Sequence, residues 1–177
     1  MKYVEALVAS GFAVDRYGNC FDNRDEFNAM PAEQRDSYKF YLAFENSLHC
    51  RDYVTEKFWR NAIIRGSVPV VWGPSRQDMA ELAPPGSYVH VEDFDSPAEL
   101  GKYLKYLDES DAAYRKYFEW MVDYEAATAG RHYIQKFEHV EEHLLCEKLR
   151  RGGFKRKTIE SLDGFWYGTE NDECYIK

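Results

Sequence analysis

The 177-residue chain has only four cysteines, at positions 20, 50, 146 and 174, and no two of them stand as C-x-x-C. That spacing excludes a zinc ribbon and a dithiol redox motif. An even count leaves room for two disulfides in an oxidising compartment, with three connectivities open. Order along the chain suggests Cys20 with Cys50 and Cys146 with Cys174; the competing expectation is four free thiols. No apolar run approaches the roughly 20 residues of a membrane-spanning helix. Nor does a charged-then-apolar leader follow Met1. Positive charge is in deficit: 23 Lys and Arg face 31 Asp and Glu, a formal net charge of −8 with both signs mixed along the sequence. This balance argues against nucleic acid and anionic membrane as partners. Internal repeats and low-complexity tracts are absent too.

What is abundant is aromatic. Phe, Trp and Tyr make up 16% of the chain, with 14 tyrosines, which suits stacking on sugars or bases and suits a packed core equally well. The length fits one domain able to bury a core. The most informative stretch runs from Tyr38 to Gly73. Tyr38 to Phe44 is apolar and aromatic apart from Lys39, then turns polar at Glu45-Asn46-Ser47, the pattern of a buried parallel strand running into a loop at its carboxyl end. From Asp52 to Arg65, Val54, Phe58 and Ala62 repeat every four residues, which predicts a helix stopped at Gly66. Val68 to Trp72 is β-branched and ends at Gly73-Pro74, a second strand. Strand, helix and strand with short connections form a βαβ unit, whose ligand site lies at the strand carboxyl ends.

Tyr53, Glu56 and Lys57 then share one face in the first turn of that helix, and Glu45 and Asn46 face the same opening. A helix start with free N–H groups attracts anions, and Lys57 adds a full positive charge. The chemistry indicated is a phosphate or diphosphate held by Lys57 and the helix start, with Tyr53, Glu56 and Asn46 free to bond sugar hydroxyls. Each residue has a plainer reading. Glu56 and Arg60 are spaced as an i,i+4 surface pair, Lys57 as a solvated lysine, and Asn46 as a turn former. Arg16 and Arg76 lie in loops near the presumed site, within reach of a phosphate or simply at the surface. His90, before two acids at a strand end, reads as a hydrogen-bonded structural histidine.

Four ordered blocks carry a resemblance: Tyr38-Lys-Phe-Tyr-Leu-Ala-Phe-Glu-Asn-Ser, Asp52-Tyr-Val-Thr-Glu-Lys, Val68-Pro-Val-Val-Trp-Gly-Pro-Ser-Arg and His90-Val-Glu-Asp-Phe. Together they resemble the carboxyl-terminal domain of the α1,3-fucosyltransferases. The similarity is close from Tyr38 to about Trp120 and weaker at Val14-Asp15-Arg16-Tyr17-Gly18-Asn19-Cys20. It implies an α/β, Rossmann-like parallel sheet with flanking helices, the carboxyl-terminal half of a GT-B fold. It implies that Tyr41, Glu45, Asn46, Tyr53, Glu56 and Lys57 line a GDP-fucose site, Glu56 meeting fucose or ribose hydroxyls and Lys57 the diphosphate. It further implies inverting transfer of L-fucose to an N-acetylglucosamine-type acceptor, with Glu56 and Lys57 serving the reaction. The general base and the glycan acceptor site are expected on an amino-terminal domain not included here, and no metal or other cofactor is expected. Such enzymes are anchored in the Golgi membrane by a single amino-terminal span, so these 177 residues read as a fragment. The alternative is a nucleotide-binding module without catalysis. Relatives often carry a C-x-x-C near the carboxyl end, where this chain has His143 three residues before Cys146.

Around the central unit, Met1 to Ser10 reads as a helix end stopped at Gly11, Phe12 to Val14 as a short strand, and Asp22 to Arg35 as a surface loop. Ser75 caps a short helix to Leu82, and Tyr88 to Val91 is a third strand. Ser96, Pro97 and Glu99 open a helix whose buried stripe is Leu100, Tyr103, Leu104 and Leu107. Asp111 to about Ala127 is another. Residues 1–130 then form the donor-binding domain, and 131–177 a carboxyl-terminal helix and tail packed on it, with Ile134, Phe137, Val140, Leu144, Leu145 and Leu149 as the helix's apolar face and Phe165-Trp166-Tyr167 returning to the domain. Within that helix, His139-Val-Glu-Glu-His143 fits H-x-x-E-H, a zinc-protease signature with Glu142 as base and Cys146 one turn on. Both histidines fall opposite the apolar seam and no third ligand is evident, so this is the remote reading.

Overall fold

A strand buried on both faces has no polar side to show, which is why Val68–Trp72 is a continuous apolar run, while Phe40–Phe44 beside it is as apolar but half-buried except at Ala43. The computed structural model describes residues 2–121, 150, 158, 160–162 and 175–176. In chain order its elements are α1 (Lys2–Ala9), α2 (Arg24–Ala29), α3 (Ala32–Arg35), β1 (Phe40–Phe44), β2 (Ser47–Leu48), β3 (Val68–Trp72), α4 (Arg76–Leu82), β4 (Val89–His90), α5 (Pro97–Glu109), α6 (Asp111–Arg115) and β5 (Tyr175–Ile176). The main sheet has the order β1-β3-β4, all parallel, with Phe40 opposite Val68 and Val70 opposite Val89. The α/β class with a parallel sheet and flanking helices is therefore observed.

Alternation along the strands divides the core in two. Val68, Val70 and Val89 point to one face and are covered by Leu7 of α1 and by Leu100, Leu104 and Leu107 of α5, with Phe40, Leu42, Phe44 and Trp72 packed alongside. Val71 points to the other face, onto Phe58, Ile63, Met79, Ala83 and Trp120. Each fully buried aliphatic side chain contributes roughly 1.5–3 kcal/mol. Local capping fixes the helix starts. Ser75 Oγ accepts from Asp78 N at 3.1 Å, Ser96 Oγ from Glu99 N at 3.2 Å, and Pro97 occupies the first turn of α5.

Several expectations are corrected. Residues 52–65 do not form a regular α-helix. Asn61, Ile63 and Ile64 donate to the carbonyls of Glu56, Phe58 and Trp59, five residues back, and only Ile63–Arg65 closes as a 3₁₀ turn. The expected stripe still packs, with Phe58 and Ala62 buried and Val54 half-buried. Phe12 to Val14 runs without a strand ladder, although Phe12 lies against Phe40. The expected loop from Asp22 to Arg35 contains α2 and α3. The third strand is only Val89–His90, followed by a 3₁₀ turn at Val91–Asp93. The helix expected from Asp111 is helical as far as it is described, through residue 121, tightening to 3₁₀ at Lys116–Phe118, and its expected remainder to Ala127 lies outside the described residues. Cys20 is free and exposed whereas Cys50 is disulfide-bonded, so the Cys20–Cys50 pairing is wrong. The His139/His143 motif, Cys146, the apolar helix face and Phe165-Trp166-Tyr167 lie outside the described residues. No described helix is long and apolar enough to cross a membrane.

Burial also sets an alkaline limit. The Tyr114 hydroxyl donates to Lys39 O at 2.8 Å, and burial, opposed by a backbone hydrogen bond and aided by Asp108, pushes its pKa up to about 12 from the ordinary 10.0. Tyr117 rises as well, through burial and its 2.7 Å bond with Tyr103. Above pH 10 the native state keeps protons that the unfolded chain releases, so stability held below that point falls as pH rises through the folded-state values. Thermal melting followed from pH 9 to about 12 should show a steady loss beginning near 10. A melting temperature that held across this interval would contradict the burial of these phenols.

Candidate functional site

The last residue before the turn at the end of β1 is Glu45, and its side chain is 1% exposed. A buried carboxylate needs several donors. Glu45 finds them ten and twelve residues on: Thr55 N–H at 2.8 Å, the Thr55 hydroxyl at 2.8 and 2.9 Å, and the Lys57 ammonium at 3.0 Å. Thr55 Oγ1 accepts in turn from Lys57 N at 3.4 Å, in the manner of a cap. Glu45 therefore does not face an opening as expected. It anchors the segment that carries the other site residues.

Backbone from the neighbouring strand completes the anchor. Glu45 N donates to Trp72 O at 2.8 Å, and Gly73 sits against the Glu45 side chain with φ +142°. A Cβ at Gly73 would lie 2.6 Å from Glu45 Cβ and 3.0 Å from Ser47 O, so only glycine fits there. His90 is buried, accepting from Glu92 N at Nδ1, which leaves Nε2 to donate to Pro74 O at 3.0 Å. It is structural, as its position predicted.

Lys57 is the cation this framework presents. Its burial works against the ammonium, but the hydrogen bond and charge of Glu45, with Glu56 and Tyr53 adding to them, hold its pKa above the ordinary lysine value. Its side chain is 22% exposed and the Glu56 carboxylate lies 3.9 Å away, 57% exposed. With three N–H donors, Lys57 retains capacity for a ligand anion beside a carboxylate open to hydroxyls. Tyr41 is reached through Asn61 Nδ2, 3.2 Å from its hydroxyl. Tyr53 is half-buried, and Asn46 is exposed on the turn after Glu45. The structure thus gathers Glu45, Glu56 and Lys57 at one point, with Tyr53 near enough to act on the Lys57 charge, while Tyr41 stands on β1 against Asn61 and Asn46 on the turn after Glu45. Among the described residues the expected Glu56–Arg60 pair is not formed, and Glu56 pairs with Lys57 instead. Arg76 bonds Asp93 at 2.7 Å, and the Arg16 guanidinium lies over the Phe21 ring.

Thr55, Gly73 and Asn61 escaped the reading of the sequence. Thr55 carried a signal, a hydroxyl residue just ahead of a helical pattern and two before a lysine. Gly73 and Asn61 carried none, since their roles depend on neighbours across the sheet. Among the described residues no group of three His, Cys, Asp or Glu side chains comes together to hold a metal.

Comparison with known proteins gives a consistent picture. Residues 1–165 match the family described as "Glycosyltransferase family 10 (fucosyltransferase) C-term". The Homo sapiens protein named alpha-(1,3)-fucosyltransferase 4 is 44% identical over 125 residues, 71% of this chain and 22% of its own length. The Homo sapiens 4-galactosyl-N-acetylglucosaminide 3-alpha-L-fucosyltransferase FUT6 is 47% identical over 120 residues, 68% of this chain and 32% of its own. The chain thus spans between 22% and 32% of these two relatives. A solved structure, an alpha1,3-fucosyltransferase with GDP-fucose, aligns with a TM-score of 0.45 at 32% identity, covering 55% of this chain and 28% of the other.

Proposed function

Since this chain belongs to glycosyltransferase family 10, the fucosyltransferases, we propose that residues 1–130 are the donor-binding part of an enzyme that moves L-fucose from GDP-fucose to an N-acetylglucosamine-type acceptor, in α1,3 linkage and with inversion. The observation that carries this reading is the Lys57 ammonium, held by a buried carboxylate at the carboxyl end of a parallel strand and still partly open. Diphosphate binds the ammonium, and the departing GDP carries negative charge that a fixed cation stabilises as C1 of fucose develops oxocarbenium character. Glu56, beside Lys57 and exposed, accepts hydrogen bonds from fucose or ribose hydroxyls, and Tyr53, Tyr41 and Asn46 line the same site. Inversion requires a base to take the acceptor hydroxyl proton. By resemblance that base is a carboxylate of an acceptor-binding domain outside these 177 residues. The setting that goes with this reading is the Golgi lumen, the enzyme held there by an amino-terminal span. Neutralisation by Lys57 removes the need for a divalent metal.

The test is calorimetry with GDP beside a radiolabelled transfer assay on the 177-residue chain. GDP should bind and fucose should not be transferred. Adding EDTA should leave the affinity within about tenfold, ~1.4 kcal/mol. A larger loss on chelation would mean that a metal holds the diphosphate. Transfer by this chain alone would place the base within it, and no GDP binding would remove the reading.

A further inference from the structure

The second sheet joins two parts of the chain that lie far apart in sequence. β2 pairs antiparallel with β5, Ser47 opposite Ile176 and Leu48 opposite Tyr175. β2 belongs to the loop between Glu45 and Thr55, which also carries Asn46 and Tyr53. Within that loop His49 and Asp52 both have positive φ, +55° and +59°. Non-glycine residues keep such a conformation only where their surroundings hold them. Cys50 stands between them and is disulfide-bonded.

We propose that Cys50 is joined to Cys174, and that this bridge with the β2–β5 pairing staples the carboxyl-terminal tail to the loop of the donor site and holds that loop in shape. The chain has four cysteines and Cys20 is free, so the partner of Cys50 is Cys146 or Cys174. Cys174 precedes Tyr175, whose ladder partner Leu48 is two residues from Cys50. Because the pairing is antiparallel, one residue back along the tail and two onward along the loop lead to the same side of the Leu48–Tyr175 pair, which puts the two cysteines in reach of the roughly 4.4–6.8 Å Cα separation that a disulfide spans. Cys146 is 29 residues from Tyr175 and has no such tether. This replaces the pairing of Cys146 with Cys174 expected from order alone, and leaves Cys146 without a mate in the chain. The bridge also explains how a loop with two strained residues presents Asn46 and Tyr53 in a defined position.

All four cysteines fall on different tryptic peptides, residues 17–24, 40–51, 137–148 and 158–177, so the linkage is read directly. Non-reducing mass mapping of the alkylated 177-residue chain should show 40–51 linked to 158–177, with 17–24 and 137–148 alkylated. Linkage of 40–51 to either of those peptides, or alkylation of all four, would overturn the proposal. Cys50→Ser and Cys174→Ser should each lower the melting temperature by roughly 10 °C, the double variant by no more than either alone, and Cys146→Ser should change nothing. The GDP part rests on the donor-site reading above: both bridge variants should bind GDP several-fold more weakly than wild type. If wild type binds no GDP, that reading fails while the map still decides the bridge. Unchanged affinity in the variants, with GDP bound by wild type, would overturn the loop-holding role.

Discussion

Replacing Lys57 by alanine should weaken GDP binding tenfold to a hundredfold, while Arg60→Ala should change it about twofold or less. The two residues lie three apart and carry the same charge, so net charge does not separate them. Their settings do. Lys57 is locked by Glu45 at 3.0 Å and by Thr55 Oγ1 at 3.4 Å, so its remaining donor is pre-aimed and little side-chain entropy is lost when an anion arrives. A charge-assisted hydrogen bond to phosphate is worth ~1.5–3 kcal/mol. Arg60 is exposed, and truncating such a group removes at most a few tenths of a kcal/mol of screened interaction. Lys57→Ala also takes one donor from the buried Glu45, which keeps Thr55 N–H and the Thr55 hydroxyl. Calorimetry should therefore be run well below the variant's melting temperature. Equal losses from the two variants would show that the diphosphate sits elsewhere.

Gly73→Ala should destabilise the fold by about 3 kcal/mol or more, the sum of backbone strain and overpacking. For a chain of this length that is a fall of roughly 10 °C in melting temperature. The new methyl would meet Glu45 Cβ at 2.6 Å and a backbone oxygen at 3.0 Å, and Glu45 is tied by four hydrogen bonds and has little room to yield. Gly86→Ala is the matched control, with φ +73° and nothing within 4 Å of its added Cβ. It carries strain without the clash and should cost about 1 kcal/mol. The gap between the two measures the close approach of the strands at the site. Gly73→Ala should lose GDP affinity as well, because whatever displaces Glu45 displaces Lys57. Equal melting temperatures for the two variants would show that the approach is looser than the structure has it.

What could be read before folding is what is settled within a few residues. The caps at Ser75 and Ser96 satisfy N–H groups three positions on, so both helix starts are legible from serine, proline and acid spacing alone. The parallel sheet is legible because a strand covered on both faces must be apolar throughout, as Val68–Trp72 is, and because Phe40–Phe44 pairs with it as a second apolar run. The four blocks of motif pointed to the family and to Glu56 and Lys57. Side-chain roles that depend on distant neighbours were not legible. Glu45 looked like a ligand residue because a carboxylate at a strand end is usually open; the donors that bury it come from Thr55 and Lys57 only after the chain has turned back. Residues 52–65 have helical spacing, but Val54, Thr55, Phe58, Trp59, Ile63 and Ile64 are poor helix formers. The anchor of Thr55 N–H on Glu45 and the burial of Phe58 draw the segment into wider i→i−5 turns. The expected Cys20–Cys50 pairing failed for the same reason. Order along a chain does not decide which thiols meet, whereas a ladder between β2 and β5 brings two segments more than a hundred residues apart to within a few ångströms.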